Sequence, residues 1–240
     1  MENSLIIALA RQSVLARQMD VIATNLANLE TAGFKSENMI FTELIEKTAD
    51  GEFLSLVHDV SFVRDLAEGP FTGTNSSLDL AIDGDGYFVV DTPDGERYTR
   101  HGVFQLDDTG NIVTTEGHQV LGSGGAPIAI PLDTSTITIA RDGTISADTN
   151  EIGRIKLVRF DDPQALSKVG SGLYDAKGQP PLPANDSQVF QGMIENSNVK
   201  GVVEMTRMID TVRSYQAAAK LADTEHQRIL DAISDLMDPV

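Results

Sequence analysis

The sequence predicts a protein that is mainly β with α, in which a sheet-rich central domain is flanked by N- and C-terminal coiled-coil-like helices. Two observations predict this class. Apolar residues recur at alternating spacings of three and four near both ends of the chain, which is the heptad pattern of a helical seam. The middle instead contains short β-branched runs separated by turn residues. We therefore divide the chain into residues 1–35, 36–77, 78–197 and 198–240.

Residues 1–35 are predicted to form one long helix, from about Ser4 to Leu29. Helix-forming residues fill this segment, and its first glycine or proline is Gly33. We expect Gly33 to act as a left-handed helix C-cap that lets the chain turn away, and a plain flexible loop is the alternative. The stripe is interrupted only by Gln12, and its apolar members are Leu5, Ala8, Leu15, Met19, Ile22, Leu26 and Leu29.

Residues 36–77 are predicted to be a connecting arm. Residues 39–45 have a weakly helical pattern, whereas residues 52–63 favour an extended conformation.

Residues 78–197 are predicted to be a β-rich domain of antiparallel meanders. Apolar and β-branched runs such as residues 78–82, 86–90 and 103–106 alternate with turn segments such as Pro93-Asp94-Gly95 and Arg141-Asp142-Gly143. These turn residues supply positive φ angles or side chains that cap a turn.

Residues 198–240 are predicted to form the second long helix. Asn198 is placed to cap it, and Glu204 lies in an early turn where the helix dipole favours an anion. The stripe contains one polar exception, His226, among Met208, Val212, Tyr215, Ala219, Ala222, Ile229, Ile233 and Leu236. Both apolar seams have to be buried against another surface. Periodicity leaves open whether the two helices pack on each other, on the middle domain or on other subunits.

Composition excludes several classes of function. The net charge of −18 would repel a nucleic-acid backbone, and the absence of cysteine excludes disulfides and thiolate metal sites. The N-terminus lacks the basic start and continuous apolar stretch of a signal peptide, and no segment has the roughly 20 apolar residues of a membrane span.

No pattern of catalytic or ligand-binding residues stands out. The four histidines are not spaced to share a metal ion, and Asp83-Gly84-Asp85-Gly86 lacks the later ligands of a calcium loop. We therefore expect no catalytic residue, no metal, no cofactor and no enzymatic activity.

Three ordered segments resemble the flagellar axial proteins, the family that includes the rod and hook subunits. Residues 24–35 (TNLANLETAGFK) are similar to the family pattern Asn-Asn-Leu-Ala-Asn-x-x-Thr-x-Gly-Phe-Lys, with Thr24 in place of the first Asn. Residues 78–90 (LDLAIDGDGYFVV) and 98–104 (YTRHGVF) resemble the β-domain core, and residues 195–199 (ENSNV) with 204–209 (EMTRMI) resemble the start of the terminal helix.

The resemblance implies that both termini form a bundle in the core of a rod, with the β domain outside. It also implies export through the flagellar type III apparatus and assembly in the periplasm with itself and other rod proteins. Within the family, the compact length and the opening residues most resemble a proximal-rod subunit, with a distal-rod subunit as the alternative. A secreted β-domain adhesin or glycan-binding module trimerised by its helices is a rival from another class.

The stripes and the motifs together define a predicted assembly interface, through which interlocked helices would transmit torque. Its residues are Leu5, Leu15, Met19, Ile22, Asn25, Leu26, Asn28, Leu29, Met205, Met208, Ile209, Val212, Tyr215, Ala219, Ile229, Ile233 and Leu236.

Overall fold

A computed structural model describes the backbone of residues 2–47 and 53–237, and the side chains of residues 7–40 and 61–234. The chain divides into two compact units. The helical unit contains Met1–Ala27, Glu37–Arg64 and Lys200–Val240, and the β unit contains Asn28–Ser36 and Asp65–Val199. A helix at each end and strands between them confirm the predicted fold class.

The helical unit consists of two helices and one long β-hairpin. Helix α1 spans Glu2–Ala27 and α2 spans Gly201–Met237. Strands β1 (Glu37–Lys47) and β2 (Phe53–Arg64) pair antiparallel, with a register shift that marks a β-bulge. The two helices pack on each other, and α1 also packs on both strands.

The hairpin corrects one prediction for the connecting arm. Residues 39–45, expected to be weakly helical, lie within β1, whereas the extended conformation expected for residues 52–63 is confirmed by β2. The segment is rich in β-branched and aromatic residues, and pairing along β2 outweighs its weak helical propensity. The structural units also divide this arm, because 37–64 belong to the helical unit and 65–77 to the β unit.

The β unit contains the remaining strands, and every pairing between its described strands is antiparallel, as predicted. Its largest sheet has the order β14-β15-β6-β5-β9-β8-β7, with β13 pairing to β5 and β16. Smaller sheets pair β10-β11-β12, β17-β4 and β18-β3. The strands are β3 (Phe71–Gly73), β4 (Leu80–Asp83), β5 (Tyr87–Thr92), β6 (Gly95–Thr99), β7 (Phe104–Leu106), β8 (Ile112–Thr114), β9 (Gln119–Val120), β10 (Ile137–Ile139), β11 (Thr144–Ala147), β12 (Asn150–Arg154), β13 (Leu157–Arg159), β14 (Ser167–Gly170), β15 (Leu173–Asp175), β16 (Leu182–Pro183), β17 (Gln188–Gln191) and β18 (Met193–Glu195).

Strand β5 is the centre of the β unit because both of its faces are buried. Phe88 and Val90 lie in the larger apolar cluster, where the Phe88 ring meets Phe104 edge to face at 5.1 Å between centroids. Tyr87 and Val89 point the other way into a second cluster. A strand covered on both sides needs a continuous apolar run, which explains the sequence at residues 87–90.

Candidate functional site

The predicted apolar stripe of α1 is largely covered within the helical unit. Ile22 is buried, and Leu15, Met19 and Leu26 are half-buried. Leu5 lies outside the residues whose side chains are described, as does Leu236 of α2. The predicted stripe of α1 is therefore covered in part by the elements on which α1 packs, which are α2, β1 and β2.

The buried seam of α2 is offset from the predicted stripe. Glu204, Thr211, Ala218 and Ala222 are buried, whereas Met208, Val212, Tyr215, Ala219 and Ile229 are half-buried. The seam thus shares some positions with the predicted stripe, but it takes Thr211 and Ala218 where the stripe has Val212 and Ala219. His226, the polar exception in that stripe, is exposed.

A line of large apolar side chains lies on the surface of α2, on a face that does not contact α1 through the buried seam. Val202, Met205 and Ile209 are 75%, 49% and 53% exposed, at the three- and four-residue spacing that places them on one face. Ile233, near the other end of α2, is also exposed. We call Val202, Met205 and Ile209 the exposed apolar face. Val202 was not among the predicted interface residues, although its spacing to Met205 could have identified it.

Asn25, a predicted interface residue, is buried in a polar network of the helical unit. Its Nδ2 donates to the Glu37 carbonyl at 2.8 Å and to Glu204 Oε2 at 3.3 Å, and its Oδ1 accepts from the Glu37 N–H at 2.9 Å. Arg207 Nη1 donates to Glu204 Oε1 at 2.7 Å and to Asn38 Oδ1 at 3.1 Å. Glu204 lies in the first turn of α2, as predicted, where the helix dipole favours its negative charge.

Asn28, Leu29 and Gly33 belong to the β unit, unlike the other predicted interface residues. Asn28 is half-buried and Leu29 is exposed. Gly33 has a φ of +67°, as the cap hypothesis requires, but α1 ends six positions earlier and the Gly33 N–H donates to the Glu195 carbonyl at 2.7 Å. A Cβ at position 33 would overlap the backbone of Arg100, so close approach also requires glycine here.

A buried ion network lies next to Gly33 in the β unit. The Glu195 carboxylate contacts Lys35 Nζ at 2.6 Å and Arg100 Nε at 3.0 Å, and it also accepts the Gly69 N–H at 3.0 Å. The side chains of Glu195, Lys35 and Arg100 are at most 4% exposed. Burial lowers the pKa of the Lys35 ammonium from its ordinary value, and the negative charge of Glu195 opposes that shift.

Backbone carbonyl groups accept further hydrogen bonds from the two cations. Lys35 Nζ donates to the Ala67 carbonyl at 2.8 Å. Arg100 Nη1 donates to the Gly86 carbonyl at 2.7 Å and also to the Gly84 carbonyl. Because every member has several partners, the network meets the condition under which buried charges are tolerated.

The network joins the three segments that resembled the flagellar axial family. Lys35 ends the first motif, Arg100 lies in the second, and Glu195 begins the third. Asn198 of the third motif was predicted to cap α2, but its side chain instead makes hydrogen bonds within the β unit. Its Oδ1 accepts the Ser36 N–H at 2.7 Å, and its Nδ2 donates to the carbonyls of Asp65 and Ala67. The motifs therefore encode one internal structure of the β unit.

Within the part of the chain that the structure describes, no group of three His, Cys, Asp or Glu side chains is arranged to hold a metal ion. Neither described helix is long and apolar enough to cross a membrane.

Comparisons with known proteins agree with the three motifs. Residues 5–35 match the model of the flagella basal body rod protein, residues 81–147 that of the flagellar hook protein FlgE/F/G D1 domain, and residues 191–235 that of the flagellar basal body rod FlgEFG protein C-terminal.

Full-length relatives give the same result. The chain is 40% identical to the flagellar basal-body rod protein FlgF of Caulobacter vibrioides over 98% of both chains. It is 34% identical to FlgF of Mesorhizobium japonicum over 92% of both chains. It is 33% identical to FlgG of Bacillus subtilis, with 90% of this chain and 92% of the relative covered. The chain therefore belongs to the flagellar basal-body rod protein family.

Proposed function

We propose that the protein is a structural subunit of the proximal rod, of the FlgF type, and that it assembles through its terminal helices. The exposed apolar face of α2 is the observation that carries this proposal. Its three large side chains lie on one line along the first turns of the helix, and all three are about half exposed or more. A contiguous apolar line on a surface helix is typical of a contact with another protein.

Energetics favour assembly through this face. The net charge of −18 makes identical copies repel one another at long range, so apolar packing has to supply the attraction between them. Full burial of a Val, Ile or Met side chain contributes about 1.5–3 kcal/mol. Three such side chains per subunit, repeated along a rod, would stabilise a polymer that resists shear.

The other features of the proposal follow from family membership. The partners are copies of this chain and other rod proteins, and the role is mechanical, without turnover or a cofactor. We propose that the flagellar type III apparatus exports the chain without cleavage of a signal peptide, and that it assembles in the periplasm.

A distal-rod position is the second candidate, because relatives named FlgG are also similar over most of the chain. The two FlgF relatives above align at 40% and 34% identity, and FlgG of Bacillus subtilis aligns at 33%. Immunogold labelling of purified basal bodies distinguishes the positions, since label at the inner end of the rod supports the proximal one.

The assembly interface is tested by Ile209→Asp, expressed in place of the native chain. The variant places a charge on the exposed apolar face, where burial between subunits would leave it unpaired. We expect loss of swimming in soft agar and no complete rods in electron micrographs of basal bodies. The purified variant should retain the circular dichroism of its strands.

Ala217→Asp is the matched control, because it adds the same charge at another exposed position of α2. It lies off the line of Val202, Met205 and Ile209, and we expect normal rods and swimming. Intact rods in cells that contain only the Ile209→Asp chain would contradict the proposed interface.

A further inference from the structure

We propose that Asn25 and Glu204 set the register of α1 against α2, as positioning residues of the helical unit. This inference rests on the proposed function and deepens it, since the register decides where along the helix pair the exposed apolar face of α2 is presented for assembly. Three features support it: a polar contact inside the seam, small side chains at the other buried positions of α2, and hydrogen bonds that fix both helices to β1.

The polar contact crosses the seam at one end of the helix pair. Asn25 lies in the last turn of α1 and Glu204 in the first turn of α2, and both are at least 96% buried. Their hydrogen bond, with the helices packed side by side, shows that α1 and α2 run antiparallel. Breaking the hydrogen bonds of polar groups that are buried to this extent lowers the stability of the protein.

The other buried positions of α2 specify the register only weakly, because their side chains are small. Thr211 and Ala218 follow Glu204 at intervals of seven on α2, and Ala8 and Ala222 are also buried. Small side chains pack acceptably in several registers, so a slip of seven residues would again place a small residue opposite α1. At 1.5 Å per residue, that slip moves α2 by about 10 Å. In the slipped register Asn25 and Glu204 would lose each other as partners.

Hydrogen bonds to β1 fix the positions of both α1 and α2 relative to this strand. The Asn25 amide donates to and accepts from the backbone of Glu37, as a neighbouring strand would. Arg207, held by Glu204, donates to the side chain of the next residue, Asn38. Both helices are thus fixed to the first two residues of one strand. A buried polar contact of this kind contributes less to stability than apolar packing would, but it favours one arrangement of the helices over others.

Double electron–electron resonance between two spin labels tests the inference. The native chain contains no cysteine, so Ala23→Cys and Thr224→Cys label exposed sites on α1 and α2 without background. These sites are far apart along the helix pair, and a slip therefore changes their distance strongly. Unlabelled chain added in excess suppresses signals between copies.

We expect one narrow distance in the otherwise native chain. In the Asn25→Leu/Glu204→Leu double variant we expect a second population, shifted by about 10 Å for a slip of one heptad. Glu204→Gln keeps an acceptor for Asn25, and it should retain the native distance. This conservative rescue distinguishes a positioning role from general packing.

Thr211→Val is the matched control. Thr211 is also buried in the seam, but its hydroxyl donates to the Arg207 carbonyl within α2. Removing that hydroxyl should leave the distance unchanged. If the double variant fails to fold, Glu204→Leu alone carries the test, because the bonds from Asn25 to Glu37 remain.

Two outcomes would overturn the inference. One is a single native distance in both Glu204→Leu and the double variant, and the other is the lack of any defined distance in the native seam. Since labels report on one chain, these outcomes differ from a failure of assembly, which Ile209→Asp reports.

Discussion

Among single residues, Glu195 has the largest expected effect on the stability of the β unit. Its carboxylate is the shared partner of Lys35, Arg100 and the Gly69 N–H. Glu68 adds a second, weaker contact to Arg100 at 3.5 Å, but its side chain is 37% exposed. Removing Glu195 would therefore leave two buried cations with little compensation.

We predict that Glu195→Leu lowers the free energy of unfolding of the β unit by about 3–5 kcal/mol, the usual result of removing one partner from a buried ion pair. Urea denaturation followed by the circular dichroism of the strands measures it. Glu96→Gln is the control, because Glu96 pairs with Lys156 near the surface and should change stability by about 1 kcal/mol or less. Equal effects of the two substitutions would contradict the role of Glu195.

The family motifs in the sequence include the residues of this network, but the sequence does not predict that these residues lie close together. Lys35, Arg100 and Glu195 each lie in one of the three family motifs, so their importance was visible. They are separated by 65 and 95 positions along the chain. Spacing over such distances does not predict contact, and the network could be found only from the fold.

At the scale of elements, local periodicity predicted most of the structure. Both helices and the antiparallel strands were predictable because their patterns repeat within a few residues. The exact seam of α2 was not, because its buried members include the polar residues Glu204 and Thr211, which an apolar pattern does not identify. The hairpin of β1 and β2 was also missed in part, since the strand that pairs with the weakly helical segment lies outside that segment, in β2.

The seam of α2 gives a prediction about the helix pair. Ala218 is buried and its neighbour Ala217 is exposed. We predict that Ala218→Leu overpacks the seam and destabilises the helix pair by about 1–3 kcal/mol. The matched Ala217→Leu should be nearly neutral. Thermal loss of the helical signal at 222 nm measures both, and equal melting of the two variants would show that α1 does not cover Ala218.

For the whole molecule, the division into two units predicts that the β unit folds without the helical unit. Every member of the ion network lies in the β unit. The Asp65 N–H donates to the Ser36 carbonyl at 2.8 Å, so these two residues are already neighbours. A short Gly-Ser turn should therefore replace residues 37–64 without strain.

We predict that residues 28–199 with this replacement form a folded β protein. Dispersed amide signals in NMR and a cooperative urea transition would confirm it. Introducing Glu195→Leu into the shortened chain should reproduce the loss of stability seen in the full chain. A shortened chain with collapsed amide dispersion would contradict the autonomy of the β unit.

The bond between Lys35 and Glu195 closes a loop of 160 residues. Until residue 195 has left the ribosome, Lys35 and Arg100 lack their shared carboxylate, and β3 lacks its partner strand β18. Contacts this distant in sequence make folding slow. A chain that completes its β unit late stays unfolded for longer, which would favour the export through the flagellar type III apparatus that we propose above.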